Sequence, residues 1–226
     1  MAETVCLFDI DGTLLLTGGA GQLGMERALT ELFGITRHEV DIPSAGRTDR
    51  AITTDLFQHH GIELTEDHLA RFVAAYDRHL PAALASTPGT VLPGVPPLLD
   101  VLHSKPNLAL GLLTGNYRVG AAHKLQHYQL AHYFKFGGYG DDHLHRDDVA
   151  RLAYAAACAQ LQQTLDPQRI WVIGDTPADV QCARAIGARV VAVATGMYSA
   201  AELSPTQPDE LFETLAELDR FLSLLN

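Results

Sequence analysis

The chain has 226 residues, with 16 basic against 27 acidic side chains and a formal net charge of −11. At 47% hydrophobic residues it can build a packed core, which rules out disorder as the main state. So acidic a surface argues against bulk binding to nucleic acid or an anionic membrane, but not against an anionic small ligand held by a metal or a local cation. No apolar run nears the ~20 residues of a membrane span, and Met1-Ala2-Glu3-Thr4 lacks the basic start of a signal peptide. Cys6, Cys158 and Cys182 are odd in number and widely spaced, reading as thiols in a reducing compartment. A cytoplasmic location is the expectation that follows.

In chain order, the first element is the apolar run Thr4–Phe8, a strand buried on both faces. Helical periodicity then covers 23–33 up to Gly34, a second helix marked by Ile52, Leu56 and Phe57 up to Gly61, and a third from Leu69 to Leu80 that Pro81 should kink or restart. Glycine-rich joints flank this stretch, Thr17-Gly18-Gly19-Ala20-Gly21 before it and Thr87-Pro88-Gly89 after it. They suit either a hinged lid or ordinary loops. Three further buried strands are expected at Leu108–Leu113, 170–173 and 190–194, with another short one near 136–140. Helices are expected at 149–165, at 178–186 ending on Gly187, and as an amphipathic run over 211–225, with Ser199 and Glu202 forming a capping box. The alternation predicts a doubly wound, mainly parallel α/β core from 1–16 and 89–226, interrupted by an all-helical insert at 17–88.

Three of the strands end in chemistry. Phe8-Asp9-Ile10-Asp11-Gly12-Thr13 sets two carboxylates at spacing two beyond the first strand, pointing to one side. Such a pair repels unless a cation or a shared proton relieves it. After the second large strand come Thr114, Gly115 and Asn116, a hydroxyl, a glycine that exposes backbone N–H groups, and an amide, which together suit a phosphate oxygen. After 170–173 come Asp175 and Asp179, hard oxygen ligands that suit Mg²⁺. In open α/β sheets these ends converge on the ligand-binding edge. Each motif alone also has a bland reading as a turn or a helix cap; together they point to one site.

These residues give the chain its resemblance to the haloacid dehalogenase superfamily, on the phosphoglycolate phosphatase-like branch with a helical cap. The first motif is Asp9-Ile10-Asp11-Gly12-Thr13, the second Thr114, and the fourth Asp175 with Asp179. The cationic third motif falls on Arg146, at the start of a helix, or on Lys135. The resemblance implies an Mg²⁺-dependent hydrolase of a small phosphorylated metabolite. Asp9 would be the nucleophile that forms an aspartyl-phosphate, and Asp11 the acid and then the base. Asp9, the Asp11 backbone, Asp175 and Asp179 would hold the metal. Thr114, Gly115, Asn116 and Arg146 would hold the phosphoryl group. The cap run Ala45-Gly46-Arg47-Thr48-Asp49 resembles a cap loop of related phosphatases, in which Arg47 would reach the substrate; the alternative is a plain N-cap with Arg47 in solvent.

Asp11 disfavours the dehalogenase branch, which lacks an acid there, but a phosphomutase similar to β-phosphoglucomutase would keep both acids. A catalytically idle phosphate- or partner-binding protein is the non-enzyme alternative, and it has no need of a nucleophile–acid pair. The histidines, His123 and His127 among them, lack further soft ligands at zinc spacing and read as solvated. The oligomeric state is left open.

Overall fold

A computed structural model of the chain describes residues 4–37 and 42–225. The elements follow in the order β1 (Thr4–Phe8), β2 (Leu15–Leu16), α1 (Ala20–Phe33), α2 (Asp49–His59), α3 (Glu66–Ser86), β3 (Thr90–Val91), α4 (Val95–His103), β4 (Leu108–Leu113), α5 (Arg118–His127), β5 (Gly137–Gly138), α6 (Arg146–Leu161), β6 (Ile170–Gly174), α7 (Pro177–Ala185), β7 (Arg189–Val193), α8 (Ala200–Leu203), β8 (Glu210–Phe212) and α9 (Leu218–Ser223). Six strands pair in parallel in the order β5-β4-β1-β6-β7-β8. The α/β class and parallel sheet expected from the buried apolar runs are the ones observed.

Alternation along β1 explains why both faces are buried. Cys6 and Phe8 join a core with Leu98, Leu99, Leu102 and Phe221, whereas Val5 and Leu7 join the opposite core with Val149, Ala153 and Val180. A period of two on a sheet covered on both sides leaves no polar face, so the strand reads as a continuous apolar run. Since β4 and β6 flank β1, Phe8 is level with Leu112 on one side and Ile173 on the other. The next residues of all three strands therefore emerge side by side at the carboxyl edge.

Helices α1–α3 close on their own apolar cluster, with Met25, Leu29, Phe57, Phe72, Ala75 and Leu80 at its centre. Phe57 packs edge-on against Phe72 at 5.4 Å between centroids. The chain leaves β1 through β2 and returns through β3, which pair antiparallel, Leu15 with Val91 and Leu16 with Thr90. Thr87 Oγ1 donates to the Thr17 carbonyl at 2.7 Å, so the two glycine-rich joints are bonded to each other.

Several boundaries differ from expectation. Pro81 sits inside α3, which runs unbroken to Ser86. The amide hydrogen bond that Pro81 removes is offset by burial of Leu80, Ala83 and Leu84 in the helical core. The 211–225 run is two elements, β8 at the sheet edge and α9 beyond it. Phe212 and Phe221 pack against each other at 6.0 Å, an apolar pair that served a strand and a helix equally well in the sequence. Helix α6 starts three residues early and stops at Leu161 because Gln162 turns left-handed, with φ 53.

Candidate active site

Asp9 leaves β1 with its backbone N–H donating to the Ile173 carbonyl at 2.9 Å, so the nucleophile candidate is anchored between the two central strands. Asp9, Asp175 and Asp179 each place a carboxylate oxygen within 4.8 Å of the others, and all three are buried. Burial, with Asp179 and Asp11 nearby, raises Asp9 to about 6 against the pull of Arg146. Asp175 is pushed to about 8, first by burial and then by Asp179 and Asp9. Asp9 and Asp175, gathered here and so poorly relieved by the protein, are donors that fit a hard divalent cation.

The cradle is built for close approach. Gly12 turns with φ +86, and a Cβ there would lie 2.3 Å from Asp175 Oδ2; a Cβ on Gly196 would lie 1.7 Å from the same oxygen. Any side chain at either position would drive Asp175 out of place. Thr13 Oγ1 donates to Asp175 Oδ1 at 2.9 Å and holds that carboxylate in place, leaving Oδ2 facing the two glycines.

Asp179 is committed otherwise. Its Oδ2 accepts from the Thr176 N–H (3.0 Å) and hydroxyl (2.7 Å), completing a capping box at the start of α7, and its Oδ1 pairs closely with Arg146. It orients Arg146, and both of its oxygens already have protein partners. Arg146 opens α6, buried, with Nη1 3.5 Å from Asp9 Oδ1 and Nη2 donating to the Leu113 carbonyl at 3.4 Å. Its Nε has no partner among the described residues. Lys135, the other cation considered for this role, is exposed.

Around Asp11 the arrangement contains a residue that sequence reasoning missed. Asn116 Nδ2 donates to Asp11 Oδ2 and to Thr114 Oγ1, both at 2.8 Å. Lys124 on α5 reaches the same Asp11 oxygen at 2.6 Å and Asn116 Oδ1 at 2.5 Å, with only 4% of the lysine exposed. Its pKa is raised by Asp11 and Asp49, which overcome the opposing effect of burial. The signal was there: Gly120, Ala121, Lys124 and Leu125 form the buried face of α5. A lone lysine on an apolar helix face two turns after Asn116 needs a buried partner.

The loop before α2 is stitched to the second motif. The Asp49 N–H donates to the Gly115 carbonyl at 2.7 Å, Asp49 Oδ2 accepts from the Tyr117 N–H at 2.8 Å, and the Tyr117 hydroxyl donates to Thr53 at 2.8 Å. Thr48 caps α2 by accepting from the Ala51 N–H at 3.1 Å. The Arg47 guanidinium pairs with Asp55 at 2.7 Å and donates to the Pro43 carbonyl at 3.1 Å, so it is turned onto its own helical layer and not onto the carboxylates of the sheet edge. A cavity of about 710 Å³ lies between the helical layer and the sheet edge, with Asp9, Asp11, Asn116, Lys124, Arg146 and Asp175 in its wall. No histidine belongs to a metal-type cluster among the described residues; His123 pairs with Asp77 at 2.7 Å. No helix among the described residues is long and apolar enough to cross a membrane.

A parallel sheet whose central strands deliver paired acids, a hydroxyl–amide pair and a third buried acid to one edge defines a hydrolase class. Residues 4–187 match the family model described as haloacid dehalogenase-like hydrolase, and the chain belongs to that family. It is similar over 98% of both chains to a predicted phosphoglycolate phosphatase from Haemophilus somnus, with TM-score 0.70 and 19% identity. CbbY from Rhodobacter sphaeroides, solved with phosphate, aligns over 96% of both chains with TM-score 0.73 and 18% identity. A Thermotoga maritima protein provisionally assigned as a β-phosphoglucomutase aligns over 99% of this chain and 100% of its own, with TM-score 0.63 and 19% identity. At these identities the likeness is one of fold. No protein with a curated description matches the chain.

Proposed function

We propose that the protein is a Mg²⁺-dependent phosphatase that hydrolyses a small phosphomonoester through an aspartyl-phosphate. The observation that carries this reading is the division of labour between the first two acids. Asp9 lies against Arg146 and the carboxylate cluster, whereas Asp11 is held by Lys124 and Asn116. Two nearby acids in different surroundings suit a nucleophile and a proton carrier.

In this reading an Asp9 carboxylate oxygen bonds to phosphorus as the ester P–O bond breaks, and the leaving alkoxide takes its proton from Asp11. Asp11, now ionised, removes a proton from water. The water oxygen bonds to phosphorus, and the acyl-phosphate bond breaks to return Asp9 and release phosphate. Lys124 and Asn116 both donate to Asp11 Oδ2 and so fix the carboxyl group, leaving Oδ1 as the oxygen from which the proton moves. Arg146, Thr114 and the N–H groups around Gly115 hold the phosphoryl oxygens, so catalysis is mostly positioning and charge neutralisation. Asp9, Asp175 and the Asp11 carbonyl would hold Mg²⁺, with Asp179 acting through Arg146 and Thr176; bound there, the ion supplies positive charge to the phosphoryl oxygens. The helical residues 17–88 act as a cap that closes the cavity and excludes water.

The test is phosphate release from a panel of metabolite phosphomonoesters, with Mg²⁺ and with a chelator. Mg²⁺-dependent release that Asp9→Asn abolishes is expected; release at the parental rate by that variant overturns the reading. The volume of about 710 Å³ favours a phosphomutase as the second reading, since a product has room to turn over inside it. A sugar phosphate isomerised faster than it is hydrolysed would establish that reading instead.

A further inference from the structure

Tyr76 on α3 is fully buried, yet its hydroxyl has no hydrogen-bond partner among the described residues and the side chain lines the cavity. A buried hydroxyl left unpaired costs free energy, so its retention calls for a ligand. Its ring is placed with care. It stands edge-on to Tyr117, at 6.1 Å and 61°, and a Cβ on Gly24 or Gly120 would come within 3.0 Å and 3.1 Å of it. Glycines on α1 and α5 thus form the slot that lets this ring reach the Asp11 side of the site.

The neighbours define what the hydroxyl meets. A Cβ on Gly21 would sit 3.6 Å from Lys124 Nζ and 3.8 Å from the Tyr76 hydroxyl, so both donors border one small space. Two of the three ammonium N–H groups of Lys124 are used by Asp11 and Asn116, which leaves one. Asp49 Oδ2 is taken by the Tyr117 N–H, which leaves Oδ1 as an acceptor. Burial and the acids Asp49 and Asp11 hold the Tyr76 hydroxyl protonated, a donor at any working pH. The charge around this space is unfavourable to an anion. Asp11, Asp49 and Glu26 line the cavity against Lys124, while Arg146 is engaged by Asp9 and Asp179 and Arg47 by Asp55. A hydroxyl group both donates and accepts, and so fits two donors beside an acceptor; a carboxylate would face at least two acids.

We propose that Tyr76 is a specificity-determining residue whose hydroxyl donates to an oxygen on the alcohol half of the phosphomonoester, selecting a neutral, hydroxylated leaving group of the polyol type over a carboxylated one. This rests on the phosphatase reading, in which the leaving group lies beside Asp11.

The test uses three-carbon esters with Mg²⁺ present: glycerol 3-phosphate, n-propyl phosphate and 3-phosphoglycerate. Turnover is measured in the parent and in Tyr76→Phe, and calorimetric binding in Asp9→Asn with and without Tyr76→Phe. The parent should prefer glycerol 3-phosphate to both other esters. Tyr76→Phe should lower kcat/KM and affinity for glycerol 3-phosphate about tenfold, the size of one hydrogen bond, and leave n-propyl phosphate unchanged. The variant should melt no lower than the parent, since it loses no protein hydrogen bond; this separates recognition from a structural role. An unchanged glycerol-to-propyl ratio in both measurements, a preference for 3-phosphoglycerate, or binding of none of the esters overturns the proposal. Tyr76-dependent binding without turnover supports the subsite and overturns the phosphatase reading instead.

Discussion

Lys124 offers a sharp perturbation, because it is buried, charged and one helix away from the reacting atoms. At 2.6 Å from Asp11 Oδ2 its gross attraction is about 6 kcal/mol at an effective dielectric constant of about 20, most of it offset by desolvation. Removing one partner of a fully buried pair costs about 3–5 kcal/mol. Here the Asp11 side chain is 39% exposed and water can re-solvate it, so Lys124→Met should cost about 1–3 kcal/mol. For a chain of this length that lowers Tm by about 2–12 °C, read by calorimetry. The catalytic effect depends on the leaving group. If Lys124 fixes the acid that protonates the alkoxide, kcat on an alkyl phosphate should fall by about 10² or more. With 4-nitrophenyl phosphate, whose phenolate leaves without a proton, the loss should be about tenfold or less. Equal losses on both substrates would refute the positioning role, and an unchanged Tm would refute the burial argument.

Metal-free protein should lose stability as the pH rises. Asp9 and Asp175 are raised to about 6 and about 8, so the stability they contribute is full below the ordinary carboxylate range near 4 and is lost as pH climbs through 6 to 8. The Tm measured with a chelator should fall across this window, and added Mg²⁺ should restore more of it at pH 8 than at pH 6, because the ligands must shed protons first; Asp175→Asn should flatten both trends. Gly12→Ala forces a side chain into a left-handed turn and against Asp175, so Mg²⁺ should no longer raise its Tm; a preserved Mg²⁺ shift would show that Asp175 is not a ligand. Arg146→Lys should cut kcat/KM at least tenfold, because one ammonium cannot span Asp9, Asp179 and the Leu113 carbonyl; steady-state kinetics at parental rates would contradict that.

The carboxyl edge was legible because two rules coincide there. Strands buried on both faces announce themselves as apolar runs, and a parallel sheet sends all their ends one way, so the sequence alone puts Asp9, Thr114 and Asp175 at one edge. Lys124 was hidden because its partner is distant in sequence and because one lysine on a short helix resembles many solvated ones; only the apolar face of α5 gave it away. Arg47 was legible as to place but not as to direction. The sequence leaves a long side chain free to face substrate or its own helix, and contact with Asp55 decides between them. The 211–225 run misled because its apolar positions, Leu211, Phe212, Leu215, Leu218, Phe221 and Leu222, keep a helical spacing across the strand as well as the helix, and the choice between them was made by β7, which accepts Phe212 as an edge partner.

The ribbon of β2 and β3 has a consequence for how this chain can be rebuilt. Leu16 and Thr90 face each other across two paired strands, so their Cα atoms are only about 4.5–5.5 Å apart. A two-residue hairpin turn would close that gap and delete the whole intervening stretch without stretching the sheet. The helical layer is therefore a cassette that enters and leaves the chain at a single doorway, with Asp49, Thr53 and Asp77 bonding it to Gly115, Tyr117 and His123 beyond that doorway. A different layer grafted between the same two residues would meet the same acids below it once it replaced the bonds that Asp49 and Thr53 make to Gly115 and Tyr117, so new substrates could be reached by exchange of one module.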